Sequence, residues 1–367
     1  MKANRKWYYY GALASMGMLL MAAPASAKVN GQCAICHTMH NSQDNKPMAF
    51  DADGDPQATP NDVLLLRGCV ACHTGTNDGT NVIPYVSDTS APTYGTDGTT
   101  GDTLAGGSFY WVASGTAGNS GASAQSTGHN VATDGMAPQD TELLNNPPGA
   151  TTSLLAQLRC AGVNGCHGDT TATSDFAAIS GTHHADDTVI DGSTTAKSFR
   201  FLKGIVGLED PDWEYQPTTT SHNQYKGVDR TSDTEDDTST ISSLCARCHN
   251  DFHNGDENVQ GPNGGFASPW VRHPTDFDMG NTAADAEYRN YGGAGNPYVV
   301  SAPVASDDIS AVKTAITFSG DDAIVTCISC HRAHGSQNAD LLRWDYAAVS
   351  AGTGGSGACF ECHTSKM

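Results

Sequence analysis

Five times the chain writes Cys-x-x-Cys-His: Cys33-Ala34-Ile35-Cys36-His37, Cys69-Val70-Ala71-Cys72-His73, Cys245-Ala246-Arg247-Cys248-His249, Cys327-Ile328-Ser329-Cys330-His331 and Cys359-Phe360-Glu361-Cys362-His363. A stretched copy, third in chain order, runs Cys160-Ala161-Gly162-Val163-Asn164-Gly165-Cys166-His167. Together they use all 12 cysteines. Two thiols followed at once by a histidine form the attachment signature of c-type haem. The thiols bond to the porphyrin vinyl groups and the histidine sits under the iron. Zinc ribbons and disulfide scaffolds also pair cysteines, but neither needs a histidine after every second one. The pattern predicts six covalent haems with proximal ligands His37, His73, His167, His249, His331 and His363. In the stretched copy the backbone must bulge between the two thioethers, which Gly162 and Gly165 permit. The alternatives there are a disulfide, or a haem held by one thioether.

The compartment follows from the N-terminus. Lys2, Arg5 and Lys6 precede an apolar stretch from Gly11 to Ala23, and Ala25-Ser26-Ala27 is an A-x-A cleavage site. Residues 1–27 therefore read as a secretory signal peptide, leaving 28–367 as one hexahaem domain. No later segment is apolar enough to span a membrane. Removing the three leader cations takes the formal charge from −21 to −24. Such a chain repels nucleic acid and like copies of itself.

Only 38% of the residues are hydrophobic, and Gly, Ser, Thr, Asp and Asn dominate. A chain this polar struggles to bury a core of its own. With roughly 57 residues per haem, the macrocycles take over that role. The expected fold is mostly irregular coil wrapped round an elongated chain of haems, with short helices at the motifs and a few short strands. Helical turns are expected at Asp62–His73, with Asp62 as N-cap, and at Ser153–Cys160 and Ile241–His253. Extended segments are expected at Asn81–Val86, Ser108–Val112, Ser198–Ile205 and Ala315–Thr326. Surface loops are expected at Ser87–Gly107, Ala113–Gly128 and Gly227–Thr240.

Eight histidines remain as distal candidates: His40, His129, His183, His184, His222, His253, His273 and His334. Six irons need six, so every iron can be closed by a second imidazole. A closed iron changes valence with little reorganisation but binds no substrate, and its axial ligands set its potential. That points to an electron carrier and away from an enzyme. His40 and His334 lie three residues after His37 and His331, too close to reach the far face of the same haem. Each would instead ligate a neighbouring haem, and His253, four after His249, invites the same reading. His183 and His184 are adjacent and serve two haems or one. His222 is the weakest candidate.

The segments Cys36-His37-Thr38-Met39-His40-Asn41-Ser42, Gly128-His129-Asn130-Val131-Ala132, Cys245–His249 with His253-Asn254, Arg272-His273-Pro274 and Cys330-His331-Arg332-Ala333-His334 are similar to those of the OmcS type. These are outer-surface hexahaem cytochromes that polymerise into extracellular nanowires. The resemblance implies end-to-end copies, with haems stacked in alternating parallel and T-shaped pairs. It implies that His40 ligates a haem of the adjacent copy, that other exported cytochromes donate electrons, and that extracellular acceptors receive them. The chain departs from the type in its stretched third motif and in having no histidine between His273 and His331, for which the His183-His184 pair and His222 would substitute. The different reading is a monomeric periplasmic or surface shuttle, or a multihaem reductase. A separate motif, Asp51-Ala52-Asp53-Gly54-Asp55, places alternate carboxylates as in a calcium loop, although Pro56 stands where an EF-hand needs glycine. The alternative there is a solvated acidic turn.

Overall fold

A computed structural model describes residues 32–51, 55–95, 98–119, 121–150, 152–230, 237–250, 252, 273–281, 285–350 and 359–364. The predicted signal peptide and His253 lie outside these residues, as does Asp53.

Each regular motif folds into one helical turn because its histidine N–H donates to the carbonyl of its first cysteine. These bonds are His37 to Cys33 (2.8 Å), His73 to Cys69 (2.9 Å), His249 to Cys245 (3.0 Å), His331 to Cys327 (3.0 Å) and His363 to Cys359 (2.9 Å). Three of the turns are the helices Cys69–Cys72, Cys327–Cys330 and Cys359–Cys362, and a fourth ends the helix Ile241–Ala246. Thr240 caps that helix through its hydroxyl, which accepts from Ser243 N at 3.2 Å. Thr326 and Ser329 form a reciprocal capping box on Cys327–Cys330.

The stretched motif takes a different shape. Arg159–Ala161 pairs in parallel with Gly165–His167 across a loop only three residues long. Gly162 turns the loop at φ +82°, and its N–H donates to His167 O at 3.1 Å. A Cβ on Gly165 would lie 2.5 Å from the Ala161 backbone. Both glycines are required, one for its dihedral and one for close approach.

Elsewhere regular structure is sparse. The strands pair only two or three residues at a time in two-stranded ladders, and three small apolar clusters replace a single core. One gathers Phe277, Met279, Tyr291 and Tyr298. A second gathers Phe199, Tyr225, Ile241 and Ile324. The third gathers Phe109, Val112 and Val131. This is the mostly irregular fold, with short helices at the motifs, that the composition implies.

Several local expectations are corrected. Ser153–Cys160 is not helical, and its end enters the strand Arg159–Ala161. Asn81–Val86 is irregular, and the strand begins after it at Ser87–Asp88, inside the expected loop. Ser108–Val112 holds no strand, and Tyr110–Ser114 is a helix closed by Gly115 at φ 69°. Ser198–Ile205 contains the 3-10 turn Phe199–Phe201, and within Ala315–Thr326 only Ile324–Val325 is strand. Aromatic and branched runs favour strands only where a sheet offers a partner, and here most face a cluster instead. Asp62 opens a 3-10 turn as its first residue, with Asn61 at the cap position.

Ile324 is fully buried and packs in the second cluster. Ile324→Ala is expected to cost about 2–5 kcal/mol of stability, read as a lowered midpoint in thermal or denaturant unfolding.

Candidate functional site

The motif cysteines meet in chain order, and none is in a disulfide. Cys36 of the first motif lies close enough to Cys72 of the second to influence its charge. Cys69 of the second and Cys160 of the third are within hydrogen-bonding reach. Cys166 of the third feels Cys248 of the fourth. Cys245 of the fourth is within hydrogen-bonding reach of Cys327 of the fifth, and Cys362 of the sixth feels Cys330 of the fifth. The six motifs thus form a line. The cysteines of successive motifs are near enough to influence one another, most strongly between the second and third and between the fourth and fifth.

The junction between the second and third motifs is fastened by a buried polar knot. Asp175 is 3% exposed. It accepts two bonds from Arg159, at 3.0 and 3.1 Å, and one from Thr133 Oγ1 at 2.7 Å. Thr133 Oγ1 in turn accepts from Cys160 N at 3.0 Å. Asp134 accepts from Val70 N, inside the second motif, at 3.1 Å.

The imidazoles fall into pairs with a common separation. Ring centroids are 6.0 Å apart for His37 and His184, 6.4 Å for His73 and His183, and 6.3 Å for His167 and His334. They are 6.2 Å apart for His249 and His129 and for His363 and His273. A metal–imidazole bond is about 2.0 Å and the ring centre lies about 1.1 Å beyond the nitrogen, so imidazoles facing across one metal stand about 6.2 Å apart. Direct ring contact would bring them closer. Each pair sets one proximal and one distal candidate at the spacing that an iron between them requires. Five of the six attachment motifs therefore fit a haem with two histidine ligands.

Eight histidines also engage their second nitrogen, whereas His334 Nδ1 is buried without a hydrogen-bond partner. Nδ1 donates to a backbone carbonyl in His37 (Val63, 3.0 Å), His73 (Pro84, 2.8 Å), His167 (Arg200, 3.0 Å), His249 (Pro148, 2.7 Å) and His331 (Asp340, 2.7 Å). His129 and His273 do the same, to Ala333 at 2.7 Å and Pro274 at 2.9 Å. His363 instead donates to the carboxylate Oε1 of Glu287. An Nδ1–H so used leaves the Nε2 lone pair for a metal and fixes the ring's orientation. Burial holds His73, His167 and His331 below their ordinary pKa, His129 at about 4 and His334 at about 3. Desolvation thus keeps them in the neutral form that ligates metals.

One device recurs at the odd-numbered motifs. The carbonyls that receive His37, His167 and His331 belong to the middle residues of the 3-10 turns Asp62–Leu64, Phe199–Phe201 and Ala339–Leu341. In each turn two successive residues are left-handed: Val63 and Leu64, Arg200 and Phe201, Asp340 and Leu341. Each turn is followed by a leucine that bridges back to its motif, as His37 to Leu65, Gly168 to Leu202 and His331 to Leu342. The recurrence has a sequence signal that a motif search centred on cysteine passes over: Asn61-Asp62-Val63-Leu64-Leu65 and Asn338-Ala339-Asp340-Leu341-Leu342, with Ser198-Phe199-Arg200-Phe201-Leu202 as a looser copy.

Three of the described histidines, His331, His40 and His222, stand apart from the pairs. His331 has its Nδ1 bond but no facing imidazole among the described residues. His40 is exposed, beside Met39 at 93% and Ile35 at 67% exposure. His222 is buried and stacked on Tyr298 at 3.6 Å and 3°, its Nδ1 donates to Asn223 O, and its Nε2 is buried without a hydrogen-bond partner; no motif histidine faces it among the described residues. His183 and His184 face the second and first motifs respectively, so they do not substitute near the fifth. Asp51 Oδ1 accepts from Asp55 N at 2.8 Å, closing the acidic turn on itself. No group of three acidic, histidine or cysteine side chains able to hold a metal ion occurs among the described residues.

Comparison with known proteins agrees with this chemistry. Residues 320–367 match the doubled CXXCH motif family. The chain is 27% identical to the C-type cytochrome OmcS of Geobacter sulfurreducens, across 90% of this chain and 83% of the relative. Among solved structures, it is similar to an outer membrane cytochrome S filament from the same organism (24% identity, TM-score 0.46, 88% and 86% of the two chains). It is also similar to the OmcS nanowires of that organism (22% identity, TM-score 0.47, 90% and 88% of the two chains). No helix among the described residues is long and apolar enough to cross a membrane. The attachment motifs and the facing imidazoles suit covalently bound haem, and over nine tenths of its length the chain is similar to the C-type cytochrome OmcS.

Proposed function

We propose that this chain is the subunit of an extracellular filament that carries electrons along a continuous line of six haems. It would be exported by the leader at 1–27 and would join its neighbours through His40. Bound haem supplies the one-electron chemistry; the polypeptide fixes each iron and brings successive motifs into contact. The axial sets are His37 with His184, His73 with His183, His167 with His334, His249 with His129, and His363 with His273. Cysteines that influence one another most strongly at every second junction support haem pairs of two alternating kinds. Electrons would enter from other exported cytochromes and leave to extracellular acceptors.

The observation that carries the assembly is the mismatch between His331 and His40. The first is oriented like the other proximal ligands but faces no imidazole among the described residues, which do not include His253. The second is an exposed imidazole with no facing ring among the described residues. Ile35, Met39 and Val63, at 67%, 93% and 67% exposure, give the His40 face an apolar surface to cover. One copy's His40 closing the iron above another copy's His331 satisfies both needs and extends the line from subunit to subunit.

His40→Ala is expected to give a folded protein with all its haems and no filaments, seen by negative-stain imaging of shed material. One haem in six should lose its low-spin ferric signal. Normal filaments from that variant would refute the junction. His222→Phe is expected to leave every haem low-spin, whereas His183→Ala and His184→Ala should each open one iron, detected by electron paramagnetic resonance.

A further inference from the structure

The bond that holds the sixth proximal histidine differs in kind from the rest. In the first five motifs the proximal Nδ1–H donates to a neutral backbone carbonyl. In the sixth, His363 Nδ1 meets the Glu287 carboxylate. The pair is shielded, with side-chain exposures of 20% for His363 and 12% for Glu287. Glu287 is also fixed from its backbone, since its carbonyl accepts from Thr364 N at 3.0 Å and Thr364 Oγ1 at 2.6 Å. Tyr288 covers the edge of the ring at 5.4 Å. The contact therefore belongs to a built site and not to a free surface carboxylate.

A carboxylate acceptor draws the Nδ1 proton more strongly than a carbonyl does and makes the imidazole a stronger donor through Nε2. Greater donation, together with a nearby negative charge, favours ferric over ferrous iron. We infer that Glu287 is a tuning residue which holds the haem at Cys359, Cys362 and His363 at a lower reduction potential than a carbonyl partner would. This rests on the reading of His363 as an axial ligand. The sixth motif is the last of the succession of neighbouring motifs, so the lowered site lies at one end of the subunit's own chain of haems, where electrons pass between copies or to a partner.

The test is a spectroelectrochemical titration of the fully haem-loaded protein and its Glu287→Gln and Glu287→Asp variants. Haem content and the low-spin ferric signal are measured first, because they report on His363 as a ligand independently of the tuning. Glu287→Gln keeps the shape and an acceptor oxygen but removes the charge. It should shift the ferric–ferrous equilibrium of one haem in six about tenfold toward ferrous, a rise of about 59 mV for one electron. The same haem should show an altered g-tensor, and Glu287→Asp should restore most of the original potential. Unchanged midpoints for all six haems in a fully loaded Glu287→Gln protein would overturn the inference. So would an equal shift in Glu287→Asp, or loss of the sixth haem from Glu287→Gln, since either would make Glu287 a determinant of local structure alone. A high-spin sixth haem in the unsubstituted protein would instead remove the premise that His363 is part of a closed pair.

Discussion

The hydrogen bond from Nδ1 of each motif histidine organises the rest of the molecule. A histidine beside two cysteines is only a ligand in prospect, free to turn about two side-chain bonds and to carry its proton on either nitrogen. Donating Nδ1–H to a fixed acceptor removes the rotation and selects the tautomer together. The acceptors come from distant parts of the chain: Val63 for His37, Arg200 for His167, Pro148 for His249. Loops that look like filler in the sequence are therefore structural parts of the site. Placing the Val63, Arg200 and Asp340 carbonyls requires side-chain-bearing residues in the left-handed region, where each costs roughly 1–2 kcal/mol. That the same strained turn occurs at three motifs, each time under a proximal histidine, is evidence that the cost is tied to ligand placement.

Much of this was legible in the sequence, and what was not has a physical cause. The thiol and proximal positions follow from covalent chemistry with fixed spacing, so five motifs fold as the same single turn. The need for glycine at 162 and 165 followed from the extra residues between Cys160 and Cys166. The division of His183 and His184 between two motifs did not, because neighbouring side chains diverge by an amount that depends on the local turn, here the 3-10 turn Thr182–His184. Nor could spacing show that His222 is buried against the parallel face of Tyr298, some 76 residues away. Strand propensity misled at Ser108–Val112 and Ser198–Ile205, where Phe109, Val112, Phe199 and Leu202 serve small clusters instead of ladders.

The absence of one large core has the same origin. Three clusters, each of a few aromatic and branched residues, do not bury enough to offset ordering so many Gly, Thr, Ser and Asp residues. The motif cysteines form a line through the fold, and the clusters lie beside it: Cys160 packs on the third cluster, Cys362 on the first, and Ile328 within the second. An apolar macrocycle along that line would join the three clusters into a continuous interior. Folding and cofactor attachment are in this sense one process, as in small domains that fold round a metal.

Charge sets the terms for assembly. A chain at −21, or −24 were the proposed leader removed, repels its copies over about 8–10 Å at ordinary ionic strength. Non-directional attraction is poorly suited to align such subunits. A coordinate bond acts at about 2 Å, far inside the screening length, and forms only when one nitrogen lies on one axis. Exposed His40 would have that character, and His331 is an oriented imidazole with no second ring facing it among the described residues. Repulsion then opposes every arrangement except the one that closes the iron, which would turn an acidic surface that hinders association into a source of specificity for the end-to-end contact.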